Sequence, residues 1–388
     1  MKRVLFKNIE FGSLSFIITE ATLKGGCDEV KQQLVAYIQL LMDNLTQIKD
    51  ETGDFLLHYQ DVVVDDKSWQ VWNWPQGIGL YGIYKYWKLS RDEKAFEVMM
   101  TWFETQMAAG APPKNVNTMA VLLTMAFLYE ETGDSRFVPY LEQWAQWVMD
   151  EMPRTKENGL QHMTYGYEKK GQLWDDTLVM TVLPLAKIGM LFKRQDYIEE
   201  AKRQFLIHVK YLADKETGLW YHGWTFEGNH HYAKALWGRG NCWVTIAIPE
   251  IIEILELSQG DFLRDFLVET LKRQVDSLVK YQSESGLWHT LIQDNTSYLE
   301  ASATAGFAYG ILKSVNMGYL DRQYEEVAIK AIKGLLPEIT EAGAVQKVSV
   351  GTGMGADLEY YKGINSTEMP YGQSLVILCL TEYLKTFL

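Results

Sequence analysis

The sequence is short of the features that mark several large classes of protein. It has three cysteines in 388 residues, Cys27, Cys242 and Cys379, far apart and odd in number. That excludes a disulfide framework and fits a reducing compartment, so a cytoplasmic protein is expected. Positive charge is also scarce: 37 Lys and Arg stand against 50 Asp and Glu, for a formal net charge of −13. Nucleic acid and anionic membrane surfaces both demand clustered Lys and Arg, so neither is an expected partner. No run is long and apolar enough to span a bilayer. The opening MKRVLFKNIEFGSLSFII resembles a signal peptide only superficially, because Lys7 and Glu10 interrupt it and no clean cleavage site follows. A Pro/Gly/Ser-rich linker is missing as well. The chain is therefore read as an N-terminal extension of unknown role over 1–29 and a single domain over 30–388.

Aromatic residues are plentiful, with 13 Trp, 22 Tyr and 15 Phe. Trp and Tyr pair an apolar face with a polar tip, which suits a large core and suits sugars equally. Helical periodicity runs through the chain and strand-like alternation is nearly absent. The pattern predicts helices near 30–49, 76–89, 92–109, 116–131, 135–151, 176–191, 195–213, 243–257, 261–281, 298–316, 321–335 and 370–387. Twelve helices make six hairpins, and six hairpins can close into a double ring. The expected fold is all-α, an (α/α)6 barrel, with inner helices such as TLVMTVLPLAKIGML buried on all sides.

A faint repeat supports a ring. TGDFLLH, NGLQH, TGLWYH and SGLWH each run from a glycine turn through apolar residues to His58, His162, His222 and His289. Ring symmetry would gather these loops at one mouth. WDDTLVMTVLP and GRGNCWVTIAIP also echo each other, setting Pro184 and Pro249 eight residues beyond a polar residue, as equivalent kinks would.

Several groups could carry chemistry. Asp175 and Asp176 open an apolar helix, where acidic side chains commonly cap. A catalytic role needs instead a carboxyl raised by burial and a like charge, which Trp174 and Asp175 could supply to Asp176. Arg239, between Trp237 and Trp243 in WGRGNCW, is either an arginine packed on aromatics or a fork for a sugar carboxylate. WNWPQG offers Trp74, with Asn73 and Gln76, as a core or sugar platform. His230–His231 has no carboxylate or further His at helical spacing and does not read as a metal site, so no metal or cofactor is expected. GTGMG (351–355) lacks the Lys-Ser/Thr of a phosphate loop and reads as a tight loop rimming a pocket. No two matched carboxylates of an ordinary glycosidase stand out.

WNWPQGIGLYG, MPRTKENGLQH, LWDDTLVMTVLPLAKIG, TGLWYHGW, WGRGNCWVTIAIPE and EMPYGQSLVILCL, in that order, resemble the unsaturated rhamnogalacturonyl hydrolases of glycoside hydrolase family 105. The likeness runs from about Trp69 to the C-terminus. It implies an (α/α)6 barrel that removes a Δ4,5-unsaturated uronic acid from the non-reducing end of a lyase-made oligosaccharide, without metal. The chemistry it implies is hydration of an enol ether: an Asp protonates carbon 4, water adds at carbon 5, and the hemiketal collapses. In the W-x-D-x-L-x-M motif that Asp falls on Asp176. The same likeness assigns substrate contacts to Trp74, His162, Trp174, His222, Trp237, Arg239 and Trp243. Where the family has a second Asp, this chain reads KNVNTM, with Asn115 and Asn117 as the substitutes. The expected partner is a small oligosaccharide bearing an unsaturated uronate, bound by a monomer or homodimer. Two rival readings are a sugar epimerase using His222 and His289, and a non-catalytic carbohydrate-binding protein whose Asp176 caps a helix.

Overall fold

The computed structural model describes residues 27–59, 62–165 and 168–388. Residues 1–26, nearly all of the expected extension, lie outside the described residues. Twelve principal helices follow among the described residues: α1 (Cys27–Gln47), α2 (Trp74–Ser90), α3 (Glu93–Ala109), α4 (Val121–Thr132), α5 (Val138–Asp150) and α6 (Leu183–Leu191). They continue as α7 (Gln195–Leu212), α8 (Gly238–Ile254), α9 (Phe262–Tyr281), α10 (Ala301–Asn316), α11 (Glu325–Leu335) and α12 (Pro370–Leu384).

The even-numbered helices form an inner ring, each packing on the next, and α12 closes on α2. The odd-numbered helices lie outside, α1 on α12, α3 on α2, α7 on α6, α9 on α8 and α11 on α10, while α5 leans on both α4 and α6. Burial follows this division. Every residue of α12 is buried, whereas α7 buries Tyr197, Ala201, Phe205, His208 and Leu212, one stripe at helical spacing. This is the α/α toroid, with six hairpins in a double ring.

Alternate helices run in opposite directions, so all six inner helices present their N-terminal ends to one mouth. Four short antiparallel ribbons tie the mouth loops together: β1 (Leu56–Tyr59) with β2 (Val62–Asp65), β3 (Gln172–Trp174) with β4 (Gly223–Thr225), β5 (Trp288–His289) with β6 (Leu299–Glu300), and β7 (Val348–Ser349) with β8 (Ser366–Thr367). Segments of two to four residues are too short to show an alternating pattern in the sequence.

Two helix starts differ from expectation for physical reasons. The helix predicted at 243 begins at Gly238, because Gly238 and Gly240 serve close packing rather than a loop. A Cβ on Gly240 would stand 2.3 Å from Asp175 Oδ2, and one on Gly238 3.1 Å from the His289 carbonyl. The helix predicted from 176 opens with a π-helical turn over Leu178–Val182, and Pro184 falls in the first turn of α6. A proline is tolerated there, whereas Pro249 lies inside α8, so the two are not equivalent kinks.

At the end of the ring opposite the mouth, polar groups plug the core. Glu250 accepts hydrogen bonds from Tyr81 at 2.6 Å and from Tyr309, and pairs with Lys85 and Lys313, each at 3.3 Å. Burial alone would raise its carboxyl, but Lys313 and Lys85 pull it down to about 2.

Candidate active site

The mouth opens into a cavity of about 760 Å³ whose lining includes Asp66, Asn73, Trp74, Asn117, His162, Lys169, Trp174, Asp176, Trp237, Arg239, Trp243 and Thr352. Its wall starts at β3. Trp174 ends that strand, the Asp175 N–H donates to the His222 carbonyl at 3.1 Å, and the chain then turns into the π-helical segment. This turn sends Asp175 inward and Asp176 toward the cavity.

Asp175 is fully buried, and neither carboxyl oxygen has a hydrogen-bond partner. Burial first, and the neighbouring Asp176 second, push it well above its ordinary value. The Asp176 side chain keeps 18% exposure and lies 3.3 Å from His162 Nδ1 through Oδ1. His162 Nδ1 also lies 3.2 Å from the Thr177 hydroxyl, its hydrogen-bond partner. Burial raises Asp176, but the adjacent His162 and the Lys169 ammonium outweigh it and hold the carboxyl below its ordinary value. This corrects the expectation that Trp174 and Asp175 raise Asp176: the raised member of the pair is Asp175. Capping does not occupy Asp176 either, since its side chain meets His162.

Aromatic faces frame the carboxyl. His162 stacks on Trp174 with centroids 4.0 Å apart and planes 4° apart. Trp74 stacks on Tyr371 at 4.6 Å and meets Trp243 edge-on at 5.9 Å. Of the two indoles in WNWPQG, Trp72 goes to the core against Trp144, and only Trp74 faces the cavity. Gln76 is also buried, donating to the Ser68 carbonyl.

Two expected contacts lie outside the cavity lining, and a third lines it with its fork already bonded. Asn115 lies outside the cavity: its amide oxygen accepts from the N–H groups of Asn117 and Thr118 and caps the short turn Val116–Met119, leaving Asn117 at the lining. His222 sits behind the wall, between Trp174 and Trp237, with Nδ1 2.8 Å from the Tyr361 hydroxyl. Burial drives its pKa down to about 3, so it is neutral. Arg239 borders the cavity at 1% exposure, but its fork is occupied. Nη1 bonds the Ser349 carbonyl and hydroxyl and pairs with Glu300, and Nη2 bonds the Val350 carbonyl and Thr352 hydroxyl, each at 3.0 Å. Arg239 thus pins the loop that carries GTGMG, whose Gly351 and Thr352 rim the cavity. Nor does the repeat bring its histidines together. His58 is exposed on β1, His289 turns Nδ1 to the Ser297 carbonyl, and only His162 faces the cavity.

Lys169 and Asp66 are among the cavity residues not singled out from the sequence. The Lys169 ammonium lies 3.9 Å over the Trp174 ring, and burial lowers it to about 8. Asp66 faces the cavity from the stretch between β2 and α2. Acidic and basic pairs beside tryptophan, as in EKKGQLW and VVVDDKSW, are the only sequence signal for either.

An aromatic-lined mouth on an α/α toroid, holding the partly exposed Asp176 beside a neutral histidine, is the arrangement of a glycoside hydrolase. The chain belongs to Glycosyl Hydrolase Family 88, whose model matches residues 47–387. It is 33% identical to the unsaturated rhamnogalacturonyl hydrolase YesR of Bacillus subtilis over 318 residues, 81% of this chain and 90% of that one. A structure from Klebsiella pneumoniae, solved as a possible member of the GH105 family, superposes with a TM-score of 0.91 at 52% identity, covering 92% of this chain and 94% of that one. The unsaturated glucuronyl hydrolase of Bacillus sp. GL1 shares the fold, with a TM-score of 0.67 at 16% identity over 90% of this chain and 96% of that one.

Proposed function

We propose that this protein removes a Δ4,5-unsaturated uronic acid from the non-reducing end of lyase-generated oligosaccharides, with rhamnogalacturonan fragments as the first candidates. The observation that carries this reading is Asp176 itself, a partly exposed carboxyl beside His162 in a tryptophan-walled cavity. Enol-ether hydration needs one carboxyl used twice. Asp176 in its acid form gives its proton to carbon 4. Water adds at carbon 5 and returns a proton to the same carboxylate. The hemiketal at carbon 5 then opens, and the anomeric carbon releases the neighbouring sugar with its glycosidic oxygen.

The free carboxyl is ionised, so it must gain a proton as substrate binds. An anionic sugar favours this in two ways, by displacing water and by adding a like charge near Asp176. Because the Arg239 fork is committed, the ammonium of Lys169 is the better group to meet the uronate carboxylate. The inner helices add the positive ends of their dipoles.

The epimerase reading needs His222 and His289 on opposite faces of one sugar, and neither lines the cavity. No helix among the described residues is long and apolar enough to cross a membrane. Three free cysteines support a cytoplasmic place of work. The test is ultraviolet absorbance of lyase-made oligosaccharides with purified protein. The conjugated double bond absorbs and hydration destroys it. A metal-independent fall is expected, and no fall across pectin-, glycosaminoglycan- and ulvan-derived panels would refute the reading.

A further inference from the structure

Asp66 is buried, yet its carboxyl borders the cavity that holds Asp176. Groups from several elements surround it. Asn73, at the entry to α2, donates to Oδ1 through a long bond of 3.4 Å. The Gly351 backbone closes the other side, since a Cβ there would stand 2.9 Å from Oδ2. Arg239 of α8 is the nearby cation, but it makes its ion pair with Glu300 and commits its fork to the 349–352 loop. Asp65 beside it and Tyr371 of α12 complete the titratable surroundings. A carboxyl so placed has one weak donor and no ion pair of its own, and faces the space a sugar would fill.

We propose that Asp66 is a second substrate-binding carboxyl, acting in its acid form as a hydrogen-bond donor to the anionic sugar, so that binding takes up a proton. This rests on reading the cavity as the site of an unsaturated uronate. A carboxylic acid offers one donor and one acceptor, the pattern that neighbouring sugar hydroxyls present. An ionised Asp66 would add to the charge of Asp176 against an incoming anion. The free site is poised for the exchange, because burial raises Asp66 to about 7 against the opposing field of Arg239. Filling the cavity with an anion removes water and adds negative charge, and both favour the acid form further. The sign follows: a group whose pKa rises on binding strengthens binding below its free value and weakens it above.

The test measures binding of the unsaturated galacturonyl-rhamnose disaccharide to Asp176→Asn protein by calorimetry, from about pH 6 to pH 8. Using Asp176→Asn removes both turnover and any proton uptake at that carboxyl. Lys169 remains in every protein compared. The dissociation constant is expected to rise up to about tenfold per pH unit above about pH 7. Heats in buffers of different ionisation enthalpy should report proton uptake near pH 7.5. Adding Asp66→Asn, which keeps a donor without the titration, should remove the larger part of the pH dependence and of the uptake, leaving only the share of Lys169, which titrates at about 8, with affinity at pH 6 within about threefold. Uptake undiminished in the double variant, or a flat profile with Asp66 present, would overturn the inference. No binding at any pH would overturn the substrate reading and this inference with it. If Asp66→Asn fails to fold, Asp66→Ser repeats the comparison.

Discussion

The inner ring has two ends made from the same helices, and their polar groups are treated in opposite ways. At the closed end, Glu250 is buried but surrounded by Tyr81, Tyr309, Lys85 and Lys313, so both of its oxygens are satisfied. At the mouth, Asp175 has no hydrogen-bond partner for either oxygen, His222 leaves Nε2 unpaired, and Asp176 keeps a face open to the cavity. A buried polar group without a partner costs stability, so the mouth is the less stable end. The difference separates roles: groups whose partners lie within the protein hold the ring, and groups left open are available to a ligand.

The largest break in that comparison comes at the closed end. Glu250→Gln leaves Lys85 and Lys313 only the half-exposed carboxylate of Glu253 and should cost up to about 3–5 kcal/mol in denaturant unfolding. The kcat/KM of the protein that remains folded should hardly change. In the wild type, the depressed Glu250 contributes stability that is present above the ordinary glutamate value and lost as pH falls toward about 2. Unfolding curves taken down through that range should show the loss, and Glu250→Gln should lack that contribution.

At the mouth, Lys169→Met keeps the length of the side chain and removes its charge. It should raise KM for an unsaturated uronate about tenfold, the worth of one charge-assisted contact, with little change in the unfolding midpoint. An unchanged KM would return the uronate carboxylate to some other group. The smallest effect is expected from Asn115→Ala, which should lose about 1 kcal/mol as a helix cap and leave KM alone. A KM change exceeding the stability loss would place Asn115 among the sugar contacts after all.

Much of this architecture was legible in the sequence because it rests on repetition. Twelve apolar periods give twelve helices, and Pro75 and Pro370 each stand at a helix start, where proline is tolerated. Asp176, Trp74 and Trp243 were findable because their motifs join unusual residues in short strings. What was hidden depended on contacts across long separations. The partners of Arg239 lie 61 to 113 residues away, so WGRGNCW could not show that the fork is already filled. Nor could it show what Gly238 and Gly240 pack against, because that backbone and side chain belong to other segments. Asp66 and Lys169 carry no motif. Each becomes visible only when the ring closes and its element turns toward the cavity.

The claim that the open carboxyl at the mouth is the working acid is tested most directly by one absorbance trace, with Asp176→Asn beside the wild type on the unsaturated galacturonyl-rhamnose disaccharide. The wild type should bleach the chromophore, and the variant, with an unchanged unfolding midpoint, should slow that loss by about 10²–10⁴-fold, the range of general acid–base catalysis. A folded Asp176→Asn protein that bleaches the chromophore at close to the wild-type rate would contradict the account.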